Sequence, residues 1–347
     1  MNTSGPPTET PETTTAPSAV SRLGRGLLGL REFVTLCVVL LVVAYFHFKT
    51  HPAGAPFWES GFLSGRNMSV VLVSACNQGI VAVGMTIVIV AGGFDLSVGS
   101  VLALAGLVSA KLLKLDLPLV PALAAGLGVG CLAGLINGVI VTRAQVNPLI
   151  ATLGMMTIAR GLVLVDVSAH GATTNLPASF TALATEWHGI PGAGVVFTML
   201  ILMLLGDLFL RNSRWLRQVY YIGGNERAAR LSGINVEGVR TATFVICGTL
   251  AALAGIMNTA RFNAATYEAG QGLELQVIAA VVIGGASLAG GQGTVFGAAL
   301  GVFLMNCISI GLTLIRVAPA WQLVATGIVL IIAVSLDMFI TRRRAAA

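Results

Sequence analysis

Long apolar runs divided by short polar breaks fill most of this chain. Runs near the length that crosses a bilayer as a helix fall at 33 to 48, 67 to 91, 97 to 113, 118 to 141, 148 to 166, 194 to 210, 241 to 260, 275 to 289, 294 to 315 and 319 to 340. The pattern predicts an all-α polytopic membrane protein of about ten transmembrane helices. The runs at 97 to 113 and 275 to 289 are Gly-interrupted at one end and read as broken or re-entrant segments. Residues 1 to 21 are rich in Thr, Pro and Ser with no apolar period, so a disordered cytoplasmic tail is expected over 1 to 32. A transmembrane domain over 33 to 341 and a basic cytoplasmic tail over 342 to 347 follow. Ala53-Gly54-Ala55 has the look of a signal cleavage site, but Pro56 directly after it is unfavourable and more spans follow, so the first span is expected to stay uncleaved.

Composition removes the soluble reading. Of 347 residues 56% are hydrophobic and 10% charged, against roughly a quarter charged in soluble domains. The net charge of +6 does not point to nucleic acid, because in a membrane chain the placement of Lys and Arg sets orientation. With the N-terminus inside, Arg22, Arg25, Arg31, Arg143, Arg211, Arg214, Arg217, Arg227, Arg230, Arg240 and Arg342 to Arg344 lie on the cytoplasmic side. Lys49, Arg66, Lys111, Lys114, Arg261 and Arg316 fall outside, so both termini are expected in the cytoplasm. Cys37, Cys76, Cys131, Cys247 and Cys307 sit inside apolar runs without CxxC spacing and read as small buried hydrophobes. His47, His51, His170 and His188 have no ligand spacing, so no metal is expected, and no motif calls for a cofactor.

Two glycine ladders, Gly126, Gly130, Gly134, Gly138 and Gly293, Gly297, Gly301, each place small residues on one helix face, where another helix approaches closely. Packing inside one subunit is the plain reading, and a subunit interface is the alternative.

Three segments stand apart from the spans. In Gly92-Gly93-Phe94-Asp95-Leu96-Ser97, Asp95 or Ser97 is placed to accept from free N–H groups at the start of the next helix, and a Gly-Gly break at membrane depth also fits a gate. The stretch from Ile283 to Thr294 holds Gly290 and Gly291 in a Leu-Ala-Gly-Gly-Gln core. That core is superficially like an ATPase signature, but no GxxxxGK[ST] loop exists anywhere in the chain. A broken-helix connection fits better, and its likeness to residues 92 to 106 hints at an internal duplication. In the cytoplasmic loop 211 to 240, residues Asn225 to Leu231 read as a short helix capped by Asn225 and stopped at Gly233. Its arginines suit either lipid phosphates or a groove on a soluble partner, with Ala228 and Ala229 offering a close approach.

At these segments the chain resembles the membrane permease subunits of ABC-type sugar importers, the ribose, xylose, arabinose and galactoside group. GGFDLSVGSVLALAG (92 to 106) and VIGGASLAGGQGTVFGAALGVFLMN (282 to 306) look like that family's two hallmark regions, and GGNERAARLSGINV (223 to 236) resembles its ATPase-coupling loop. The resemblance implies the ABC importer permease fold, a homodimer or a heterodimer with a related permease, a cytoplasmic ABC ATPase subunit and a periplasmic or extracellular sugar-binding protein. It makes Asn225, Glu226, Arg227, Ala228, Ala229 and Gly233 coupling residues. Gly92, Gly93, Asp95, Ser97, Gly290 and Gly291 would belong to the gate region, and no motif assigns the residues that touch substrate. The expected function is monosaccharide import across the bacterial cytoplasmic membrane by alternating access, without an enzymatic site. The alternatives are a permease for a branched-chain amino acid, nucleoside or autoinducer, and a solitary ion-coupled transporter. The last needs titratable groups at depth, and the spans offer few: Asp95, Arg160, Asp166, Asp207 and Asp337. Arg160 is expected to snorkel toward the outer interface.

Overall fold

The computed structural model describes residues 19–52, 61–184 and 192–346. The expectations for the tail over 1–18, the Ala53 to Pro56 stretch and His188 lie outside the described residues. Each predicted apolar run is occupied by a helix: α1 (Ala19–Thr50), α2 (Gly65–Val90), α3 (Val98–Lys114), α4 (Leu119–Thr142), α5 (Pro148–His170), α7 (Ala193–Asn212), α10 (Val236–Phe262), α11 (Leu273–Ile283), α12 (Val295–Leu314) and α13 (Pro319–Ala346). Short helices α6 (Ala178–Thr181), α8 (Gln218–Gly224) and α9 (Glu226–Leu231) lie in the connections. Two-residue strands β1 (Thr173–Thr174) and β2 (Ala264–Ala265) pair antiparallel, Thr173 opposite Ala265.

Among the described residues seven helices are long and apolar enough to cross a membrane. Helix α13 runs 28 residues, from Pro319 to Ala346. Two of the other expected spans are short: helix α3 has 17 residues and α11 has 11. The run expected to 289 therefore stops at Ile283, because the glycines that follow end the helix. Helix α1 starts at Ala19, inside the stretch expected to be tail.

The bundle is ordered around α2, whose apolar window is 78% buried, against 22% for α1, α5 and α7. Lipid offers no hydrophobic drive between helices, so close backbone packing holds such a bundle together. The first glycine ladder supplies it inside the chain: Gly130 lies against Gly248 and Ala252 of α10, Gly134 against Phe244 and Gly138 against Thr241. The second joins α12 to α11, with Gly297 on the Gly284 carbonyl and Gly301 on that of Ala280. Cys76, Cys247 and Cys307 are buried as expected, whereas Cys37 and Cys131 are exposed on outward helix faces.

The suspected duplication has a backbone counterpart. Helix α2 ends with Gly92 N–H on Ile89 O at 2.9 Å and Gly93 N–H on Val88 O at 2.9 Å, a Schellman stop with Gly92 at positive φ. Helix α11 ends the same way, Gly285 on Val282 at 2.9 Å and Ala286 on Val281 at 3.1 Å. The helices that follow also finish alike. Asp116 after α3 and Arg316 after α12 are both left-handed, with Leu117 N–H on Leu112 O at 3.1 Å and Val317 N–H on Leu312 O at 2.9 Å.

Candidate functional site

Between α7 and α10 the chain builds α8 and α9 where one short helix was expected. Asn225 Oδ1 accepts from Ala228 N–H at 3.0 Å, which caps α9. Gly233 and Ile234 close it with N–H bonds to Arg230 O at 3.0 Å and Ala229 O at 3.1 Å. Asn235 then caps α10 by accepting from Gly238 N–H at 3.0 Å. Three caps in eleven residues fix a turn that isolated helices of this length could not hold.

The two alanines face opposite ways. Ala229 is buried among Val219, Ile222, Val236 and Val239, so it anchors α9 to the bundle. Ala228 and Arg227 are exposed. The outward face also carries Leu231, 91% exposed, and Tyr221, 55% exposed. Neither was singled out in the sequence, although a leucine between Arg230 and Ser232 outside every span was the available signal.

Charge ties the same face to the bundle. Glu226 accepts from Arg230 at 2.9 Å and from Arg240 of α10 at 3.0 Å, and Arg230 also pairs with Glu237. The hydrogen bond from Arg230, followed by the charge of Arg240, holds the Glu226 carboxyl below its usual range. Arg240 in turn reaches the Ala91 carbonyl at 3.5 Å, the last residue before the α2 break.

Beneath α8 the three glycine segments meet. A Cβ on Gly223 would overlap Val90 O and Gly291 N, and one on Gly290 would lie 3.0 Å from Gly223 Cα and 3.1 Å from Gly92 Cα. Gly291 N–H donates to Val90 O at 2.8 Å, which satisfies a carbonyl freed at the end of α2. Tyr220 Oη donates to Gly293 O at 2.8 Å, and burial, with Asp207 adding to it, pushes that hydroxyl up to about 12, so it stays a donor at neutral pH. Gly92, Gly290 and Gly291, expected at a gate, thus adjoin the segment expected to couple.

Asp95 and Ser97 lie on the far side of the α2 break, both buried. Asp95 Oδ1 accepts from Ser97 N–H at 2.9 Å and from Ser97 Oγ at 2.5 Å, and Ser97 Oγ accepts from Asn137 of α4 at 3.0 Å. The carboxylate therefore fixes the turn into α3 one residue ahead of the helix. Gly93 packs between Val88 and Phe244, within 3.2 and 3.3 Å of a Cβ built there.

At the opposite end Arg160 is held by backbone carbonyls. Its guanidinium donates to Tyr267 O and, at 2.9 Å, to Ala269 O, clamping the connection between α10 and α11. That connection folds inward, with Gly270 backing on Gly99 near the start of α3.

Comparison with known proteins adds the family. A family model described as "Branched-chain amino acid transport system / permease component" matches residues 67–334. The chain is 40% identical over 280 residues to the ribose import permease protein RbsC of Escherichia coli strain K12, covering 80% of this chain and 87% of that one. It is 36% identical over 282 residues to the D-allose transport system permease protein AlsC of the same strain, covering 81% and 86%. It is 35% identical over 327 residues to the ribose import permease protein of Haemophilus influenzae, covering 93% and 97%. No solved structure matches the chain.

Proposed function

We propose that this chain, which belongs to the permease-component family of branched-chain amino acid transport systems, carries a monosaccharide across the bacterial cytoplasmic membrane as the permease subunit of an ATP-driven importer. The sugar is favoured over an amino acid by the ribose and allose permeases to which most of the chain is similar. The protein works by alternating access and makes or breaks no bond in its solute. An ABC ATPase subunit docks at α8 and α9, a sugar-binding protein delivers solute at the opposite end, and two permease chains, identical or related, complete the path. Both termini, α8 and α9 are cytoplasmic.

The observation that carries this reading is the glycine junction. The exposed α8–α9 pair contacts the breaks after α2 and α11 directly, through Gly223, Gly290 and Gly291, so a push on the outward face reaches both breaks. A solitary transporter has no use for such a surface.

The test is reconstitution in liposomes. With the ATPase, the binding protein and ATP, the chain should accumulate ribose, xylose or allose. Alone it should hydrolyse no ATP and accumulate nothing. Accumulation by the isolated chain under a proton or sodium gradient would overturn the reading.

A further inference from the structure

Five amide side chains converge where α2, α10, α11 and α12 meet. Asn77 Nδ2 donates to Asn258 Oδ1 at 2.6 Å, Gln78 Nε2 to Gln276 Oε1 at 2.6 Å, and Asn306 Nδ2 to Gln78 Oε1 at 2.7 Å and Val302 O at 2.8 Å. Asn77 and Gln78 occupy the middle of the 26-residue α2, and Gln276 lies in the first turn of the 11-residue α11.

Interhelical amides commonly act as glue in membrane bundles, and then they are enclosed and satisfied. Here only Asn306 is buried, and Asn77, Gln78, Asn258 and Gln276 are half-buried. A primary amide offers two N–H donors and an oxygen with two lone pairs. Among the described residues the Asn258 and Gln276 NH₂ groups donate to nothing, and Asn77 Oδ1 accepts from nothing. Polar side chains inside membrane spans face the bundle interior or a water-filled cavity, and they mark solute pathways. The start of a discontinuous helix near the middle of a bundle is also where transporters place their solute.

The geometry points to Asn77, Gln78, Asn258 and Gln276 as the surface that holds the solute in transit, with Asn306 fixing Gln78 from behind. Its chemistry selects for neutral polyhydroxy compounds. A hydroxyl both donates and accepts, and so does each amide, whereas no Asp, Glu, Lys or Arg takes part in the cluster's hydrogen bonds. A free amino acid brings an ammonium and a carboxylate that these four residues leave unpaired. Glu274 points away from them, toward Gly99 on α3. This inference rests on the sugar-import reading above and names the residues that reading leaves unassigned.

The experiment uses the complete transporter in liposomes, with radiolabelled ribose, xylose and allose as probes and rates scaled to inserted chain. Asn258→Leu and Gln276→Leu should each lower uptake by about tenfold or more, as losing a polar contact to a substrate hydroxyl does, while ATP hydrolysis by the assembled complex stays within about twofold. Gln276→Asn keeps the amide but shortens its reach, so it should change the ranking of the three sugars. Unchanged rates and ranking in these variants, with or without a lower melting temperature, would mean that the cluster is glue and would overturn the proposal. If the leucine variants fail to insert, Gln276→Asn decides by the same ranking. A wild-type transporter that accumulates leucine and none of the three sugars would instead overturn the sugar reading, and this inference with it.

Discussion

Gly291 donates its backbone N–H to the carbonyl of Val90 at 2.8 Å, joining the break after α11 to the end of α2 across 201 residues of chain. Gly223 of α8 packs against both of these residues. The junction is backbone on backbone, which only glycine permits at Gly223.

Gly223→Val should therefore disrupt the junction itself. Overpacking of this kind costs about 1 to 3 kcal/mol, and here the carbonyl of Val90 and the amide of Gly291 must separate. Expected outcomes are a lower melting temperature in detergent and loss of ATP-driven uptake with the protein still inserted. Wild-type uptake by this variant would remove the junction from the mechanism.

Leu231→Asp tests the outward face. The side chain is 91% exposed, so its replacement should leave stability within about 0.5 kcal/mol. Copurification of the ATPase subunit should fall by at least about tenfold if Leu231 fills a groove, as buried anchors at interfaces do. Ala228→Trp should act in the same direction through bulk. Full recovery of the ATPase with both variants would place docking elsewhere.

The Glu226 tether should be acid-sensitive in a defined direction. Its carboxyl is held below the ordinary 4.5 by Arg230 first and then Arg240, so the stabilisation is present above that value and is lost as pH falls through the lowered one. Both pairs are partly exposed and screened by solvent, so the tether is weak. Hydrogen exchange of α9, corrected for intrinsic rates, should be faster by up to about fivefold in Glu226→Gln at neutral pH. The two proteins should converge in acid. Equal protection at neutral pH would show that the caps alone hold α9.

Orientation is tested by labelling in intact cells with native cysteines replaced. A cysteine at Thr174, exposed within the β1 strand, should react with an impermeant reagent, and one at Arg214, exposed before α8, should not. The opposite pattern would invert the molecule and put the proposed ATPase surface outside.

Much of the fold was legible because its signals are local. Apolar length marks each helix, Asn225 and Gly233 mark the ends of α9, and the glycine pairs at Gly92 and Gly284 mark the breaks. What the sequence could not supply was rotation. Ala228 and Ala229 are neighbours in the chain, yet one faces out and the other into the bundle, and only the packing of Val236 and Ile222 decides which. The amide cluster was hidden for the same reason, since Asn77 and Asn258 meet only once α2 and α10 are in register. The partners of Arg160 were hidden too, since they are backbone carbonyls of a connection that folds inward, and no side-chain pattern announces a carbonyl.

A contact made without side chains has no rotamers to yield. Where Gly223 of α8 meets Val90 and Gly291 the contact is backbone on backbone, so these three segments are expected to shift together as one stiff lever. Gln78 and Gln276 ride on two of its arms. Movement begun at Leu231 would carry both amides together past α10, so the 2.6 Å hydrogen bond from Asn77 to Asn258 is the distance to follow through the transport cycle.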